Sequence, residues 1–444
     1  MARRGTAVSA PSGSMLPAEP PPALVQLSIL TQFFPPDFAA TGQLIEELSR
    51  NLQPEGLAVR VFTGQPGYAF SKAEAPTIER SDQLFVRRSR TAQLLPSRIR
   101  GKALNGLMFV ARSALYLMRS HNRGDLLMVT TAPPFLPILG FLANWLFGTP
   151  YICLLYDLYP DVAVELKIKA ADHWIVRAWD FVNRCVWKRS TRIIVLSSSM
   201  KARIVAKCPE VADRIAIIHS WADPDSIVPI PKQENWFAQE HDLVDKFTVL
   251  YSGNMGRCHD IETIVAAAQE LRDDPVEFLI IGDGAQRERL IEKLDRLDLH
   301  NFKFLPYQDK ANLPYSLTAC DLSLVSVKPG MEGIVAPSKL YSALAASRPI
   351  AAICEEHSYL RSLISDAGCG ACFDNGDGVG LANFIRGLVS SPALVERMGR
   401  SGRRYMKAHF TPEIVARQYA NVMYEAVLSC DDLMYSLPSV ASEA

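Results

Sequence analysis

The 444-residue sequence lacks a net charge, a cysteine framework and an apolar segment long enough to span a membrane. Lysine plus arginine equals aspartate plus glutamate, at 47 each, so the basic excess typical of nucleic-acid-binding proteins is absent. Nucleic acid is therefore not an expected partner. The best candidate for a span, residues 135–147, is cut off by Gly148, Thr149 and Pro150. Its length fits a buried or interfacial helix.

The cysteines and the N-terminus both point to the cytoplasm. Nine cysteines, an odd number, are scattered along a long chain, which is typical of reduced thiols and not of a secreted disulfide scaffold. Cys369 and Cys372 form a C-x-x-C pair, but no second pair follows at zinc spacing, and the glycine-rich flanks indicate a turn. Residues 1–23 have no apolar core for a signal peptide. They are predicted to form a disordered leader.

The sequence also shows no motif typical of a metal or cofactor site. No Asp-x-Asp run lies at a strand end in a context that would bind a metal. We therefore predict chemistry that needs neither a metal nor a bound cofactor, with anions held by local cations and backbone donors.

Strand-like and helix-like segments alternate in two series, which predicts an α/β protein with two parallel sheets. The predicted organisation is a leader (1–23), an N-terminal domain (24–222), a linker (223–245), a C-terminal domain (246–410), a helix packing back toward the N-terminal domain (411–430) and a flexible tail (431–444). Two Rossmann-like, doubly wound domains should face each other across a cleft and bind ligands at the carboxyl ends of the strands. Thr41 is the predicted N-cap of the first helix.

A basic, amphipathic segment covers residues 98–123. It contains arginines and a lysine at 98, 100, 102, 112, 119 and 123, mixed with leucine, methionine and aromatic residues. Such a helix is typical of a protein that lies on an anionic membrane surface. A helix packed on the sheet, with a solvated basic face, explains the same pattern, and both interpretations remain open.

Two glycine-containing turns in the C-terminal half are candidate ligand loops. The first, Gly253-Asn254-Met255-Gly256, follows a strand and is followed by Arg257, whose planar cation suits phosphate oxygens. The helix after this turn could favour an anion at its N-terminus. The second turn, Gly282-Asp283-Gly284, also ends a strand. Each turn is equally compatible with simple packing.

The segment KPGMEGIVAPSKLYSALAASRPI, residues 328–350, is the most specific one. Pro337 suits the first turn of a helix. Lys339 then falls near the positive end of that helix, which is unfavourable for a cation without an anionic neighbour. A bound diphosphate would relieve this misfit, whereas a solvated surface lysine is the simpler alternative.

Several segments together resemble the family-4 retaining glycosyltransferases of the GT-B fold, in particular the bacterial exopolysaccharide and colanic-acid branch. The matching segments are TQFFPPDFAATGQLIEELSRNL, LLYDLYPD, VLYSGNMGRCHDIETIVAAA, FLIIGDG and APSKLYSALAASRPIAAI. The resemblance extends over about residues 24–430. It implies a hexosyl- or N-acetylhexosaminyltransferase that uses a nucleotide-sugar donor, for which we predict a uridine diphosphate carrier.

The resemblance also implies roles for matched residues. Arg257 and Lys339 would hold the donor diphosphate, and Asp157 would face the acceptor and the transferred sugar. The other implied donor contacts are Thr41 and Gly42 at the phosphates, Glu332 and Gly333 at the sugar, Tyr307 at the nucleobase, and Gly253, Asn254, Gly256, Gly282, Asp283, Gly284, Pro337, Ser338 and Ser342 around them. The acceptor would be a saccharide or a polyprenyl-diphosphate-linked sugar, and peripheral contact with the inner face of the plasma membrane would suit it.

Two positions depart from the family pattern. Ser342 stands where the family has the acid that grips the nucleotide ribose, and one hydroxyl cannot make a bidentate contact. Tyr156 stands where many relatives have a histidine. A non-catalytic nucleotide-sugar-binding subunit, a nucleotide-sugar epimerase of the same fold and a membrane-docked scaffold are therefore alternatives to a transferase.

Overall fold

The computed structural model describes residues 25–37, 39–66, 75–81, 83–89 and 99–435, with the backbone alone described at 99–103 and 430–435. These residues form two Rossmann-like α/β domains, which confirms the predicted fold class. The predicted leader, Arg98 and the side chains of Arg100 and Lys102 lie outside the described residues.

The N-terminal sheet has eight strands. They are β1 (Val25–Leu30), β2 (Leu57–Thr63), β3 (Ile78–Ser81), β4 (Leu84–Arg88), β5 (Leu126–Thr130), β6 (Tyr151–Leu155), β7 (Arg192–Val195) and β8 (Ile215–Ile217). Their order is β3-β4-β2-β1-β5-β6-β7-β8, and only β3 pairs antiparallel with its neighbour. Strand order reverses between β1 and β5, so this is where a doubly wound sheet opens a crevice.

The C-terminal sheet has six parallel strands. They are β9 (Phe247–Ser252), β10 (Val276–Ile281), β11 (Phe302–Leu305), β12 (Leu322–Ser326), β13 (Ile350–Ile353) and β14 (Gly370–Phe373). Their order, β11-β10-β9-β12-β13-β14, is that of a dinucleotide-binding Rossmann sheet. The reversal lies between β9 and β12. The loops after these two strands contain Gly253-Asn254-Met255-Gly256 and the segment that leads to Lys339.

Helices cover both faces of the sheets. They are α1 (Ala40–Asn51), α2 (Ile99–Leu117), α3 (Pro137–Phe147), α4 (Asp161–Glu165), α5 (Trp174–Arg189), α6 (Ser198–Lys207), α7 (Trp236–Glu240), α8 (Glu262–Glu270), α9 (Arg287–Leu297), α10 (Leu313–Thr318), α11 (Lys339–Ala345), α12 (Tyr359–Ala367), α13 (Gly378–Val389), α14 (Pro392–His409) and α15 (Pro412–Tyr435). In the N-terminal domain, α2, α3 and α5 contribute Phe109, Leu139 and Val186 to one core, whereas α1 contributes Ile45 to the core on the opposite face.

The C-terminal helix α15 crosses back onto the N-terminal domain. Val415, Tyr419 and Met423 are buried in the same core as strands β1 and β2. The hydroxyl of Tyr424 donates to the carbonyl oxygen of Glu55 at 2.7 Å. The helix continues to Tyr435, so the first five residues of the predicted tail are helical, and residues 436–444 lie outside the described residues.

One local prediction was wrong. Helix α1 begins at Ala40 with Ala39 as its N-cap, which places Thr41 inside the first turn and leaves the helix without a side-chain cap. The predicted linker also contains more structure than expected, because α7 lies within it and Phe237, Ala238 and Leu243 are buried. The Asn235 side chain caps α7 by accepting from Phe237 N at 3.0 Å, a local signal for a helix in that stretch.

The described cysteines are free thiols, at positions 153, 185, 208, 258, 320, 354, 369 and 372. Within the described part of the chain, no single helix is both long and apolar enough to cross a membrane. One pair of segments, Gly378–Val389 and Pro392–Ser429, passes on length and composition together but is bent by 105°.

Candidate active site

The two glycine turns of the C-terminal domain interlock at the carboxyl end of the sheet. Met255 N donates to Asp283 O at 2.8 Å, and Gly253 N donates to Ile281 O at 2.8 Å. A Cβ on Gly282, where φ is +127°, would lie 2.3 Å from Gly253 O. Gly282 is therefore needed for the close backbone packing of the two turns, which together form one unit beside the cleft.

The helix after the first turn does not offer a free anion site. Helix α8 begins at Glu262, and the Asp260 carboxylate accepts from Thr263 N at 3.1 Å and from Thr263 Oγ1 at 2.6 Å. Asn375 Nδ2 donates to the same carboxylate at 2.7 Å. The predicted anion position at this N-terminus is thus wrong, because a carboxylate of the chain itself already lies there.

Lys339 has a buried ammonium group without a hydrogen-bond partner among the described residues. It is the first residue of α11, and its Nζ lies 3.6 Å from the centre of the Tyr251 ring at the end of β9. Burial lowers the pKa of this ammonium to about 7. The alternative of a solvated surface lysine is excluded, because the ammonium is buried against an aromatic ring and makes no hydrogen bond within the described residues.

Two further groups lie around this ammonium. Burial, with a smaller effect of Lys339, lowers the pKa of His259 to about 3, and His259 Nδ1 lies 2.8 Å from Ser326 O. Burial raises the pKa of the Cys258 thiol, the Asp157 carboxyl raises it further, and Lys339 opposes both. Cys258 is therefore close enough to Asp157 and to Lys339 for both charges to affect its pKa.

Asp157 follows β6 of the N-terminal domain and meets the C-terminal domain directly. It forms an isolated antiparallel bridge with Val335, and Glu332 forms a parallel bridge with the same valine. Burial raises the pKa of the Asp157 carboxyl to about 6, because a low-dielectric site disfavours the charged form. Thr131 Oγ1, from the loop after β5, accepts from Tyr156 N at 3.2 Å and steadies this segment.

The loop before α11 is clamped from the other domain. Arg203 on α6 donates to Glu332 O at 2.5 Å and to Gly330 O at 2.8 Å. Gly333 has a φ of +72°, and a Cβ there would lie 2.6 Å from Ser199 O. The Glu332 side chain is 2% exposed, and its Oε1 has no hydrogen-bond partner among the described residues. The loop therefore presents a buried carboxylate whose Oε1 is free to accept a hydrogen bond.

The remaining predicted donor residues lie at the edge of this cluster. Ser342 lies one turn after Lys339, and its hydroxyl donates to Lys339 O at 3.1 Å. Pro337 is buried and Ser338 is the exposed N-cap of α11, where it makes no side-chain cap bond. Arg257 is exposed, one residue before Cys258.

The residues predicted to contact the nucleobase and the phosphates lie in different domains. The Tyr307 ring is 47% exposed, and its hydroxyl donates to Asp283 O at 3.4 Å, so it borders the second turn. In the N-terminal domain, Thr41 lies in the first turn of α1, at the carboxyl end of β1. A Cβ on Gly42 would lie 2.9 Å from the Phe33 carbonyl carbon, so this glycine serves helix packing.

Sequence reasoning missed Tyr251, Cys258, His259 and Arg203. The first three flank Gly253-Asn254-Met255-Gly256, and proximity to that turn was the available signal. Arg203 had none, since its contacts are 127 and 129 residues away. Within the described residues, no group of three His, Cys, Asp or Glu side chains is placed to hold a metal ion, and metal independence stays a prediction.

Comparison with known proteins identifies both halves. The family described as "Glycosyl transferase 4-like domain" matches residues 40–221, and "Glycosyl transferases group 1" matches residues 232–405. A Pseudomonas aeruginosa protein named as a probable glycosyltransferase, WbjE, is 24% identical over 367 residues, which is 82% of this chain and 89% of WbjE. WcaI of Escherichia coli K12, named for colanic acid biosynthesis, is 28% identical over 232 residues, which is 52% of this chain and 56% of WcaI.

Solved structures agree on the fold. Sucrose-phosphate synthase from Thermosynechococcus elongatus superposes with a TM-score of 0.72 at 17% identity, covering 91% of this chain and 99% of that one. Anabaena HepE in complex with UDP-glucose gives a TM-score of 0.67 at 15% identity, covering 90% of this chain and 99% of that one. The chain is therefore a glycosyltransferase with the GT-B fold, formed by a glycosyl transferase 4-like domain followed by a group 1 glycosyl transferase domain.

Proposed function

We propose that the protein transfers a hexosyl or N-acetylhexosaminyl group from a UDP-sugar to a lipid-linked saccharide acceptor, with retention of anomeric configuration, in bacterial polysaccharide biosynthesis. The observation that supports this best is the buried, unpartnered Lys339 ammonium at the reversal point between β9 and β12. A donor diphosphate is the anion that would suit this position.

Four groups form the proposed donor site. Lys339 would neutralise the diphosphate from the inside and Arg257 from the exposed mouth, while Tyr307 would border the base. The buried Glu332 carboxylate would accept a hydrogen bond from a sugar hydroxyl through its free Oε1. HepE, a structural neighbour, was solved in complex with UDP-glucose, and this supports a uridine carrier here.

The proposed transfer is a displacement at the anomeric carbon. The acceptor oxygen forms the new bond to this carbon, the bond to the diphosphate oxygen breaks, and the acceptor proton passes to a diphosphate oxygen on the same face. Lys339 and Arg257 stabilise the negative charge that develops on the leaving diphosphate. Asp157, near the transferred sugar, would orient the acceptor hydroxyl and favour the positive charge that develops on the sugar ring.

The proposed acceptor is supported by the name of a relative and by the apolar surface of the N-terminal domain. WcaI is named for colanic acid biosynthesis, and a lipid-linked sugar would suit the apolar outer helices of the N-terminal domain. The test is a panel of UDP-sugars and other nucleotide sugars against polyprenyl-diphosphate-linked acceptors, with products identified by mass spectrometry and the anomeric configuration by NMR. Donor binding without transfer to any acceptor would favour a non-catalytic subunit, and sugar release or epimer formation without acceptor an epimerase.

Nucleotide binding is expected to weaken as pH rises above 7. Lys339 has its pKa lowered to about 7 in the free protein, so above this pH the protein must take up a proton before it can bind the diphosphate tightly. Linkage then raises the Kd for UDP by up to about tenfold per pH unit. Calorimetric titrations with UDP from pH 7 to 9, in buffers of different ionisation enthalpy, measure both the affinity and the proton uptake.

The matched control is Lys339→Arg, because a guanidinium keeps its charge over this range. Its Kd for UDP should be nearly independent of pH. A flat profile in the wild type, with no proton uptake, would show that Lys339 does not meet the diphosphate.

A carboxylate at position 342 is expected to tighten nucleotide binding. Ser342 lies one turn after Lys339, and its hydroxyl is used by Lys339 O. In Ser342→Glu, charged hydrogen bonds to the ribose hydroxyls should lower the Kd for UDP about tenfold or more, with a smaller gain in Ser342→Gln. Calorimetry with UDP measures this. No gain in either variant would show that this face of α11 does not reach the ribose.

A further inference from the structure

The helices that cover one face of the N-terminal sheet are unusually apolar on their outer side. More than half of the exposed large apolar side chains in the described residues belong to α2, α3 and α5 or to Met118 directly after α2. Prominent examples are Leu107, Leu115, Trp145, Leu146, Trp174 and Phe181. The inner sides of the same helices already pack on the sheet, so this outer layer is not part of the core.

Helix α5 shows the clearest pattern. Trp174 is 72% and Phe181 is 61% exposed. Arg177, Arg184 and Lys188 are exposed on the same stripe of the helix, at spacings of three and four residues. Lys188 is paired with Glu210 at 2.7 Å, so the two arginines carry the net positive charge of the stripe. Exposed aromatic rings alternating with arginines are typical of a helix that lies at a membrane interface, where rings enter the headgroup region and cations meet lipid phosphates.

The stripe also contains a depression between its arginines. A cavity of about 490 Å³ is lined by Arg177, Phe181 and Arg184, together with Ala178 and Asp180. The Asp180 carboxylate is paired with Lys207 at 2.8 Å, so it does not cancel the two guanidinium charges. An anionic group on the membrane surface would complement this depression.

We propose that the outer face of α2, α3 and α5 docks on an anionic phospholipid bilayer, with the Trp174–Lys188 stripe of α5 as its principal anchor. The sequence pattern pointed to residues 98–123 for such contact, and the structure moves the anchor to a different helix. Charge complementarity favours a bilayer over a purely apolar protein partner, because such a partner would not need the exposed Arg177 and Arg184 between the rings.

The anchor lies next to the acceptor side of the candidate active site. Asn183 Nδ2, on the inner side of α5, donates to Tyr159 O at 2.6 Å, and Trp179 stacks on the Tyr159 ring at 6.1 Å. Tyr159 is two residues after Asp157. A helix is only about 10–12 Å across, so a bilayer touching the outer side of α5 lies about one helix diameter from the segment that follows Asp157. That this delivers a lipid-linked acceptor rests on the proposed function, whereas the docking itself does not.

The test is co-sedimentation of the full chain with vesicles of phosphatidylcholine alone or mixed with phosphatidylglycerol. We expect binding to the mixed vesicles that falls with salt. Trp174→Ser/Phe181→Ser should weaken it about tenfold or more. Arg177→Glu/Arg184→Glu should weaken it further, since each lost cation is worth roughly fivefold.

The matched controls are exposed residues of the C-terminal half. Val379→Ser/Leu428→Ser removes two apolar side chains that are 56% and 63% exposed, and Arg404→Glu/Lys407→Glu reverses two exposed cations. Both should bind vesicles as the wild type does. All four variants should bind UDP normally, which shows that they fold.

Three results would overturn the proposal. They are no binding of the wild type to mixed vesicles, equal loss in the C-terminal controls, or a dimer in light scattering that only the α5 variants dissociate while vesicle binding is unaffected. Lys339→Ala should bind vesicles as the wild type does. Vesicle binding therefore tests the docking independently of the proposed transfer.

Discussion

Lys339→Ala is expected to lower kcat/KM by about three orders of magnitude, because it removes the buried cation that would meet the leaving diphosphate. The ammonium lies against the Tyr251 ring with no hydrogen-bond partner among the described residues. Few other groups could replace it, since Arg257 is exposed and more strongly screened by solvent. Steady-state kinetics with the identified donor and acceptor measure the effect, and Lys339→Arg should recover part of it.

The same substitution should not destabilise the fold. Because the folded-state pKa of Lys339 lies below the ordinary value of 10.5, the unfolded chain binds more protons between about pH 7 and 10. The buried lysine therefore costs stability at neutral pH and less as pH rises toward 10. We expect the unfolding temperature of Lys339→Ala at pH 7 to be unchanged or higher. A large fall in both activity and unfolding temperature would indicate a structural role instead.

Asp157→Asn is expected to lower kcat about a hundredfold or more while the Kd for UDP changes little. Asp157 lies in the N-terminal domain and reaches the cleft through its bridge to Val335, so it should act on the acceptor and the transferred sugar and not on nucleotide binding. Single-turnover kinetics with saturating donor isolate this step.

The pH dependence of kcat gives an independent readout. With its pKa raised to about 6, the Asp157 carboxyl becomes charged as pH rises through 6, so wild-type kcat should increase between about pH 5 and 7. This limb should vanish in Asp157→Asn. Asp161→Asn is the control, since Asp161 is an acid four residues away that is paired with Lys207 at 2.7 Å. Equal losses of kcat in both variants would show that Asp157 has no specific role in the reaction.

The fold was largely predictable because it depends on local patterns. Buried parallel strands are continuous apolar runs, so their alternation with helix-like segments in two series was enough to predict two parallel sheets. A single polar residue was a weaker guide to the end of a helix. Thr41 was predicted to cap α1, but Ala39 O accepts from Gly42 N at 2.9 Å and from Gln43 N at 3.2 Å, so the helix begins at Ala40.

The candidate site was predictable only in part, because its critical features are three-dimensional. The sequence identified Lys339 as a misplaced cation, but the Tyr251 ring beneath it and the burial that lowers its pKa depend on how α11 packs against β9. The anion site expected at α8 failed for a local reason that could have been seen, since Asp260 is followed three residues later by Thr263. The bridge between Asp157 and Val335 joins the two domains, and no spacing rule gives it.

The Arg203 contacts have a consequence for attempts to exchange domains between relatives. The main chain around Glu332 is held by an arginine of the opposite domain, and Gly333 leaves room for the Ser199 carbonyl that approaches it. A hybrid enzyme with a foreign N-terminal half would keep its two glycine turns but lose the support of the loop around Glu332. Changing donor specificity by recombination would therefore require α6 to be transferred together with the C-terminal domain.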